Sequence, residues 1–224
     1  MARLSKEILA LVRKEFVLEW RERSAFNGIL LYTFSTIFVC YLSFNQRRVE
    51  LNPVTWNTLF WIIQLFAAIH GISKSFSQER GGRFYFYYSL VSPQAIILSK
   101  IIYNTILMSL ISMVGFLIYT FVMGSPVIDL PLFILNLLLG AVGFASTLTM
   151  VSGISSKSTN SSTLMAVLGF PVILPMILML IKVSKNAMDG LARNLSYDEV
   201  LTIFAIDVIV VTVSYILFPY LWRS

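Results

Sequence analysis

The sequence has few of the residues that build catalytic centres and soluble surfaces. Its 224 residues include one cysteine, Cys40, and one histidine, His70. A lone cysteine excludes an internal disulfide bond and any Cys-x-x-Cys motif. Charged residues make up 12% of the chain, against roughly 25% in an average soluble domain. Hydrophobic residues make up 57%, and a soluble fold of this size would leave much of that surface exposed. The composition therefore predicts a membrane protein.

The apolar residues fall into six runs, each close to the roughly 20 residues that a membrane-spanning helix needs. The residues before the first run mix acids with bases, which is not typical of a cleaved signal peptide, so we interpret that run as a retained span. We predict an all-α membrane protein with two parts: an amphipathic helix over residues 1–24 and a six-span domain over residues 25–224. The six predicted spans are 25–44, 54–73, 101–123, 130–151, 164–181 and 201–221.

The basic residues indicate the orientation of these spans. The net charge is +6, but the bases stand in short segments between apolar runs, which fits membrane orientation and not nucleic-acid binding. With both termini in the cytoplasm, most Lys and Arg lie on the cytoplasmic side, as the positive-inside rule requires. The outer loops then hold only Arg47, Arg48, Lys182, Lys185 and Arg193.

In the N-terminal segment, apolar and charged residues recur at the spacing of an amphipathic helix. Leu4, Ile8, Leu11 and Phe16 share one side, and charges occupy the other. This pattern predicts a helix lying in the cytoplasmic interface, with Trp20 at headgroup level. The alternative is a charged tail that only sets the topology.

The longest cytoplasmic connection runs from Lys74 to Lys100. It contains charges, a Gly-Gly break, an aromatic run and Ser92-Pro93, where serine is a favoured cap and proline a favoured first residue of a helix. A loop that only reverses the chain needs a handful of residues. The segment is therefore either a docking surface for a cytoplasmic partner or an interfacial loop anchored by its aromatic side chains.

Two spans carry special features. Pro171 and Pro175 lie on one face of the fifth span, where each removes a backbone donor, so we expect the helix to bend or break as a moving part. A static kink is the alternative. The fourth span presents a small-residue face whose partner is either within the chain or in a second copy; it consists of Gly140, Ala141, Gly143, Ala145 and Ser146.

Catalytic motifs are missing. The chain has no Gly-x-x-x-x-Gly-Lys-Ser/Thr, His-Glu-x-x-His or Gly-x-Ser-x-Gly, so we assign no catalytic residue, metal site or cofactor to it. His70 is expected in the interface, and Asp207 either lines a path or turns towards water. Gln64, Asn104 and Asn136 are expected to bond between helices.

Four motifs resemble the CcmB family, the haem exporter proteins of cytochrome c maturation. Lys14-Glu15 through Glu19-Trp20-Arg21 is similar to the family's N-terminal opening. Phe76-Ser77-Gln78-Glu79-Arg80-Gly81-Gly82 is similar to its Phe-x-x-Glu-Arg…Gly motif. Leu90-Val91-Ser92-Pro93 with Lys100 resembles Leu-x-Ser-Pro…Lys, and the segment 168–175 resembles Leu-x-Pro…Pro. Chain length and span count agree throughout.

The resemblance implies a non-catalytic ABC-type permease subunit in a bacterial inner membrane. It implies a separate cytoplasmic ATPase that binds ATP, a haem-handling membrane protein, and two copies of this chain per complex. The complex would release haem-loaded chaperone for c-type cytochrome biogenesis. By analogy, ATP-driven motion would be received by the coupling residues Phe76, Gln78, Glu79, Arg80, Gly81 and Arg83. The alternative is an ABC-2-type permease that exports a drug, lipid or polysaccharide.

Overall fold

The computed structural model of the chain describes residues 2–22, 24–47, 51–73, 75–76, 91–156 and 161–223. Within them every regular element is helical. The α-helices are α1 (Ala2–Glu22), α2 (Ser24–Arg47), α3 (Pro53–Ile72), α4 (Pro93–Met123), α5 (Leu130–Ser155), α6 (Ser161–Met188) and α7 (Tyr197–Arg223), with a 3₁₀ turn at Arg193–Ser196 before α7. The predicted all-α class is confirmed.

Helix α5 is the centre of the bundle and packs against α3, α4, α6 and α7. Its small residues make this possible, because a methyl group added at Gly140 would lie 2.7 Å from the Trp61 ring of α3. One added at Gly143 would contact Met176 of α6 and lie 2.7 Å from Asp207 Oδ1 of α7. The partners of the small-residue face are therefore helices of the same chain.

Polar side chains inside the bundle bond from helix to helix. Asn136 Nδ2 donates to Leu180 O and to Ser184 Oγ, both at 2.8 Å. Ser112 donates to Gln64 Oε1 at 3.1 Å, and Asn104 Nδ2 donates to Thr149 Oγ1 at 2.8 Å. Apolar surroundings require such pairing because an unbonded polar group there is costly. The interhelical roles predicted for Gln64, Asn104 and Asn136 are confirmed.

Five helical stretches in the described part of the chain are long and apolar enough to cross a membrane: Phe26–Phe44, Pro93–Met123, Leu130–Ser155, Val167–Met188 and Arg193–Leu221. The predicted second span corresponds to α3, which is not among these five. Asn57, Gln64 and His70 interrupt its apolar run. The six-span count therefore remains a prediction.

Helix α6 continues through Pro171 and Pro175 without interruption, so the expected break does not occur, and the bend at these prolines stays a prediction. Both prolines lie on the exposed side of the helix, where a lost backbone bond does not disturb the packed side.

The end of the bundle where α5 begins is closed by ion pairs. Arg193 holds both carboxylate oxygens of Asp129, with Nε–Oδ2 2.7 Å and Nη2–Oδ1 2.9 Å. Nearby, Lys182 pairs with Glu199. The Arg193 hydrogen bonds lower the pKa of the Asp129 carboxyl below its ordinary value. We call this the Asp129 end.

Candidate functional site

The described residues that flank the predicted coupling segment belong to one polar cluster, about 30 Å along α5 from the Asp129 end at 1.5 Å per residue. The cluster extends over about 12 Å along α1 and α4, from Glu7–Ser92 to Glu15–Lys100. The cluster joins α1, the residues after α3, and the first turns of α4. We call it the loop anchor and define it by Glu7, Glu15, Ser75, Phe76, Ser92 and Lys100. Residues 75–76 and 91–92 flank the segment 77–90, which lies outside the described residues.

Lys100 is the centre of the loop anchor. Its side chain is 3% exposed, and Nζ donates to Ser75 O at 2.7 Å. It also lies 3.5 Å from Glu15 Oε1 and 4.9 Å from the centre of the Phe76 ring. An ammonium group this buried needs several partners to offset its lost hydration. Lys100 thus ties the start of the segment to α1 and α4 together.

Glu15 supplies the negative charge of the cluster. Burial by itself would raise the pKa of its carboxyl, but the charge of Lys100 and the hydrogen bond and charge of Lys14 outweigh it, so the pKa is lowered from 4.5 overall. Lys14 Nζ lies 2.9 Å from Glu15 Oε1. At neutral pH the carboxylate is therefore ionised and available to pair with Lys100.

Glu7 holds the other end of the segment. Its Oε2 accepts hydrogen bonds from Ser92 Oγ at 2.7 Å and from Ser92 N at 3.2 Å. Ser92 is the residue before α4, and Pro93 occupies the first turn as predicted. The prediction that the Ser92 side chain caps α4 is wrong, because its hydroxyl makes no hydrogen bond to the first turn of that helix. The hydroxyl donates to Glu7 of α1 instead.

The pairs Glu7–Ser92 and Glu15–Lys100 have the same sequence separation of 85 residues. Equal separation means that α1 and the start of α4 run side by side in the same direction. The sequence analysis did not predict the pairing of α1 with α4. The available signal was that Glu7 and Glu15 have the same spacing as Ser92 and Lys100.

The loop anchor also reaches α5 and α7. Asn104 Nδ2 donates to Ser75 Oγ at 3.2 Å as well as to α5, and Ser152 Oγ donates to Ser73 O at 3.3 Å. The Phe76 ring, 5% exposed, packs 5.6 Å from Phe218 of α7. A displacement of residues 75–76 would therefore be felt by three helices of the bundle.

The structure brings only some of the predicted site residues together. Phe76, Lys14 and Glu15 belong to or border the loop anchor. Glu19 Oε1 accepts a hydrogen bond from Phe26 N at 2.7 Å, which joins α1 to α2, while Arg21 is exposed. Outside the described residues lie Gln78, Glu79, Arg80, Gly81 and Arg83.

His70 lines a separate cavity of about 340 Å³ between α2, α3, α5 and α6. The imidazole is stacked on Tyr32, with ring centres 5.7 Å apart, and the other walls are mainly apolar, including Phe66, Met165 and Phe170. In the described part of the chain, no three His, Cys, Asp or Glu side chains are grouped to hold a metal ion.

Asp207 is buried and not turned towards water. It is 3% exposed, faces Gly143 of α5, and neither carboxyl oxygen has a hydrogen-bond partner. It lies on α7, apart from the loop anchor.

The family comparison covers nearly the whole chain. The family model described as CcmB protein matches residues 6–220, which includes most of α1, both flanks of the segment 77–90 and nearly all of the six helices that follow α1. A comparison with curated proteins gave no match. This family is a membrane permease subunit with a role in haem export for cytochrome c biogenesis. The match shows that the chain belongs to the CcmB family.

Proposed function

We propose that the chain transmits ATP-driven motion from a separate ATPase subunit to its own membrane helices, and thereby drives release of haem-loaded chaperone. The residues that flank the segment 77–90 are attached to α1 on both sides, Ser75 through Lys100 and Glu15, and Ser92 through Glu7. This double attachment is the observation that carries the proposal. A contact made by the segment would move α1 and α4 as one unit.

The proposed topology places the loop anchor on the cytoplasmic side. The positive-inside rule supports it, since most bases of the chain then lie inside. If α3 also crosses the membrane, the chain has six spans and both termini are cytoplasmic. In this topology α1 lies in the interface and the Asp129 end faces outwards. The proposed location is a bacterial inner membrane.

The proposed assembly contains two copies of this chain with two ATPase subunits, together with a haem-handling membrane protein. ATP binds in the partner, and haem is handled by the complex. Family membership in an ABC-type haem exporter supports the ATPase partner. We assign no cofactor to this chain.

A substitution in the segment tests ATPase attachment. Glu79→Ala removes a charge expected to contact the ATPase, so co-purification of the ATPase and cytochrome c assembly should both fall. The matched control is Asp189→Ala, which removes an exposed acid at the Asp129 end and should leave both unchanged. Unchanged co-purification and assembly in Glu79→Ala would contradict the proposal.

The loop anchor is tested separately. Glu15→Gln keeps the shape of the side chain but removes the charge that Lys100 faces. The ATPase should still co-purify, whereas cytochrome c assembly should fall because the start of the segment loses its ionic link to α1 and only the Glu7–Ser92 attachment remains. Normal assembly in Glu15→Gln membranes would show that the loop anchor does not transmit motion.

A further inference from the structure

Helix α1 has two apolar faces. Leu4, Ile8 and Leu11 pack against the start of α4, in the cluster that contains Ala95 and Ile96. On the opposite side Leu9 is 71% exposed and Trp20 77% exposed, with Phe16 41% exposed between them. The prediction that Phe16 shares the side of Leu4, Ile8 and Leu11 is therefore wrong. Positions 9, 16 and 20 fall on one face of a helix with 3.6 residues per turn. Phe16 also packs edge-on against Tyr103 of α4, with ring centres 5.2 Å apart, so this outward face is most exposed at Leu9 and Trp20.

The charges of α1 are sorted between the two faces. Glu7, Glu15 and Glu19 bond to the protein through Ser92, Lys100 and Phe26 N respectively. Lys6 and Arg13 are exposed and alternate with Leu9, Phe16 and Trp20 at steps of three and four residues. The outward face is therefore apolar and basic, and we define it by these five residues.

We propose that the outward face of α1 binds the surface of a bilayer that contains acidic phospholipids. Lys6 and Arg13 would face the headgroup phosphates, and the three large apolar side chains would enter the boundary between headgroups and acyl chains. The inference deepens the proposed interfacial position of α1 and rests on it, because it names the lipid class that holds the helix there.

The attachment of α1 to α2 favours a bilayer over an acidic protein as the partner. The apolar stretch Phe26–Phe44 of α2 is long enough to cross the membrane. Its first amide, Phe26 N, donates to Glu19 of α1 at 2.7 Å. The C-terminal end of α1 is thus held at the level where a membrane span begins. Exposed tryptophan is typical of that level.

The test uses the full chain reconstituted into vesicles. An environment-sensitive fluorophore is attached at Leu9→Cys in a Cys40→Ala background, after its thermal stability has been matched to the parent. Vesicles contain either phosphatidylcholine alone or phosphatidylcholine mixed with phosphatidylglycerol. The emission should shift towards an apolar environment in the mixed vesicles, and added salt should reduce that shift because it screens the headgroup charge.

Charge removal makes the test specific. Each of Lys6→Gln and Arg13→Gln should lower the ratio of docked to undocked label about fivefold in the mixed vesicles. Lys185→Gln, which removes an exposed base on α6, is the matched control and should leave the ratio unchanged. Equal emission in both vesicle types, or no effect of Lys6→Gln and Arg13→Gln, would overturn the proposal.

A third result would identify a different partner. If the label stays in water with both lipids and is shielded only when the ATPase is added, the outward face binds protein and the lipid proposal is overturned. That result would leave ATPase coupling intact. The Glu79→Ala and Glu15→Gln assays test that coupling independently.

Discussion

At the scale of single residues, Asp207 is an acidic side chain buried inside the bundle, 3% exposed. Its carboxyl lies between α5, α6 and α7 with no hydrogen-bond partner for either oxygen. Isolated ionised carboxylates are strongly disfavoured in apolar surroundings. Residues of this kind are retained for function more often than for stability.

Replacing Asp207 should stabilise the protein. Asp207→Asn keeps the size of the side chain but removes the ionisable group, so the cost of burying a charge is relieved and the free energy of unfolding should rise. Thermal unfolding in mild detergent at neutral pH measures it. Asp189→Asn, at an exposed position, should cause no change. A loss of stability in Asp207→Asn would mean that the carboxylate is paired.

Substitution of Gly143 should lower the stability of the protein more than substitution of Gly169. A methyl group at Gly143 would lie 2.7 Å from Asp207 Oδ1 and meet Met176, whereas one at Gly169 would lie 3.4 Å from the flexible end of Ile173. Gly143→Ala should destabilise the bundle by about 1–3 kcal/mol. Gly169→Ala should be neutral or stabilising by up to about 1 kcal/mol. Equal unfolding temperatures in the two variants would contradict the close approach of α5 and α7.

At the scale of elements, the contact of α1 with α4 rests on charges that titrate. Because the Glu15 pKa is lowered in the folded protein from 4.5, its stabilising contribution is present above that ordinary value. The contribution is lost as pH falls through the lower folded pKa. Stability measured between neutral and acidic pH should therefore fall less steeply in Glu15→Gln than in the parent. Parallel curves would show that Glu15 is not paired in the folded state.

A double-mutant cycle measures the same contact directly. Glu15→Gln and Lys100→Met should each destabilise the protein, and the double variant should lose less than the sum, because each single change already removes the Glu15–Lys100 ion pair. The expected interaction energy is about 0.5–3 kcal/mol. Lys6→Gln in place of Lys100→Met is the control cycle, with additive effects expected. Additive effects in both cycles would show that Glu15 and Lys100 form no ionic link between α1 and α4.

The existence of the helices could be predicted from the sequence more accurately than their first and last residues. Long apolar runs predicted the helices, because an apolar run of about 20 residues in lipid is expected to form a membrane-spanning helix. Helix α4 begins at Pro93, as Ser92-Pro93 indicated, whereas the apolar run alone put the start of the span at residue 101, because a hydropathy pattern marks the lipid-facing length and not the hydrogen-bonded length. The prolines of α6 did not interrupt it, since they lie on its exposed side.

The loop anchor was only half predictable. The motif around Phe76 and the Ser92-Pro93 helix start are local features, and both could be read from the chain. Their attachment to α1 depends on contacts 85 residues apart, which one sequence does not reveal. Asp207 was expected either to line a path or to turn towards water, whereas its burial depends on how α5 and α7 approach each other.

At the scale of the whole molecule, two polar ends enclose an apolar bundle with α5 at its centre. The Asp129 end ties the start of α5 to the turn before α7, and the loop anchor ties α1 and α4 to the other end of α5. An exporter needs a rigid body that moves as a unit when its partner moves. The central claim is that this body is moved by an ATPase for haem delivery.

That claim is tested most directly by purifying the tagged chain from its native host in mild detergent and identifying the proteins that accompany it. Recovery of a cytoplasmic ATPase together with a haem-handling membrane protein is expected. Recovery of an ATPase without any haem-related protein would favour export of another substrate, such as a drug, lipid or polysaccharide. Recovery of neither protein, from membranes in which cytochrome c is being assembled, would contradict the proposed role.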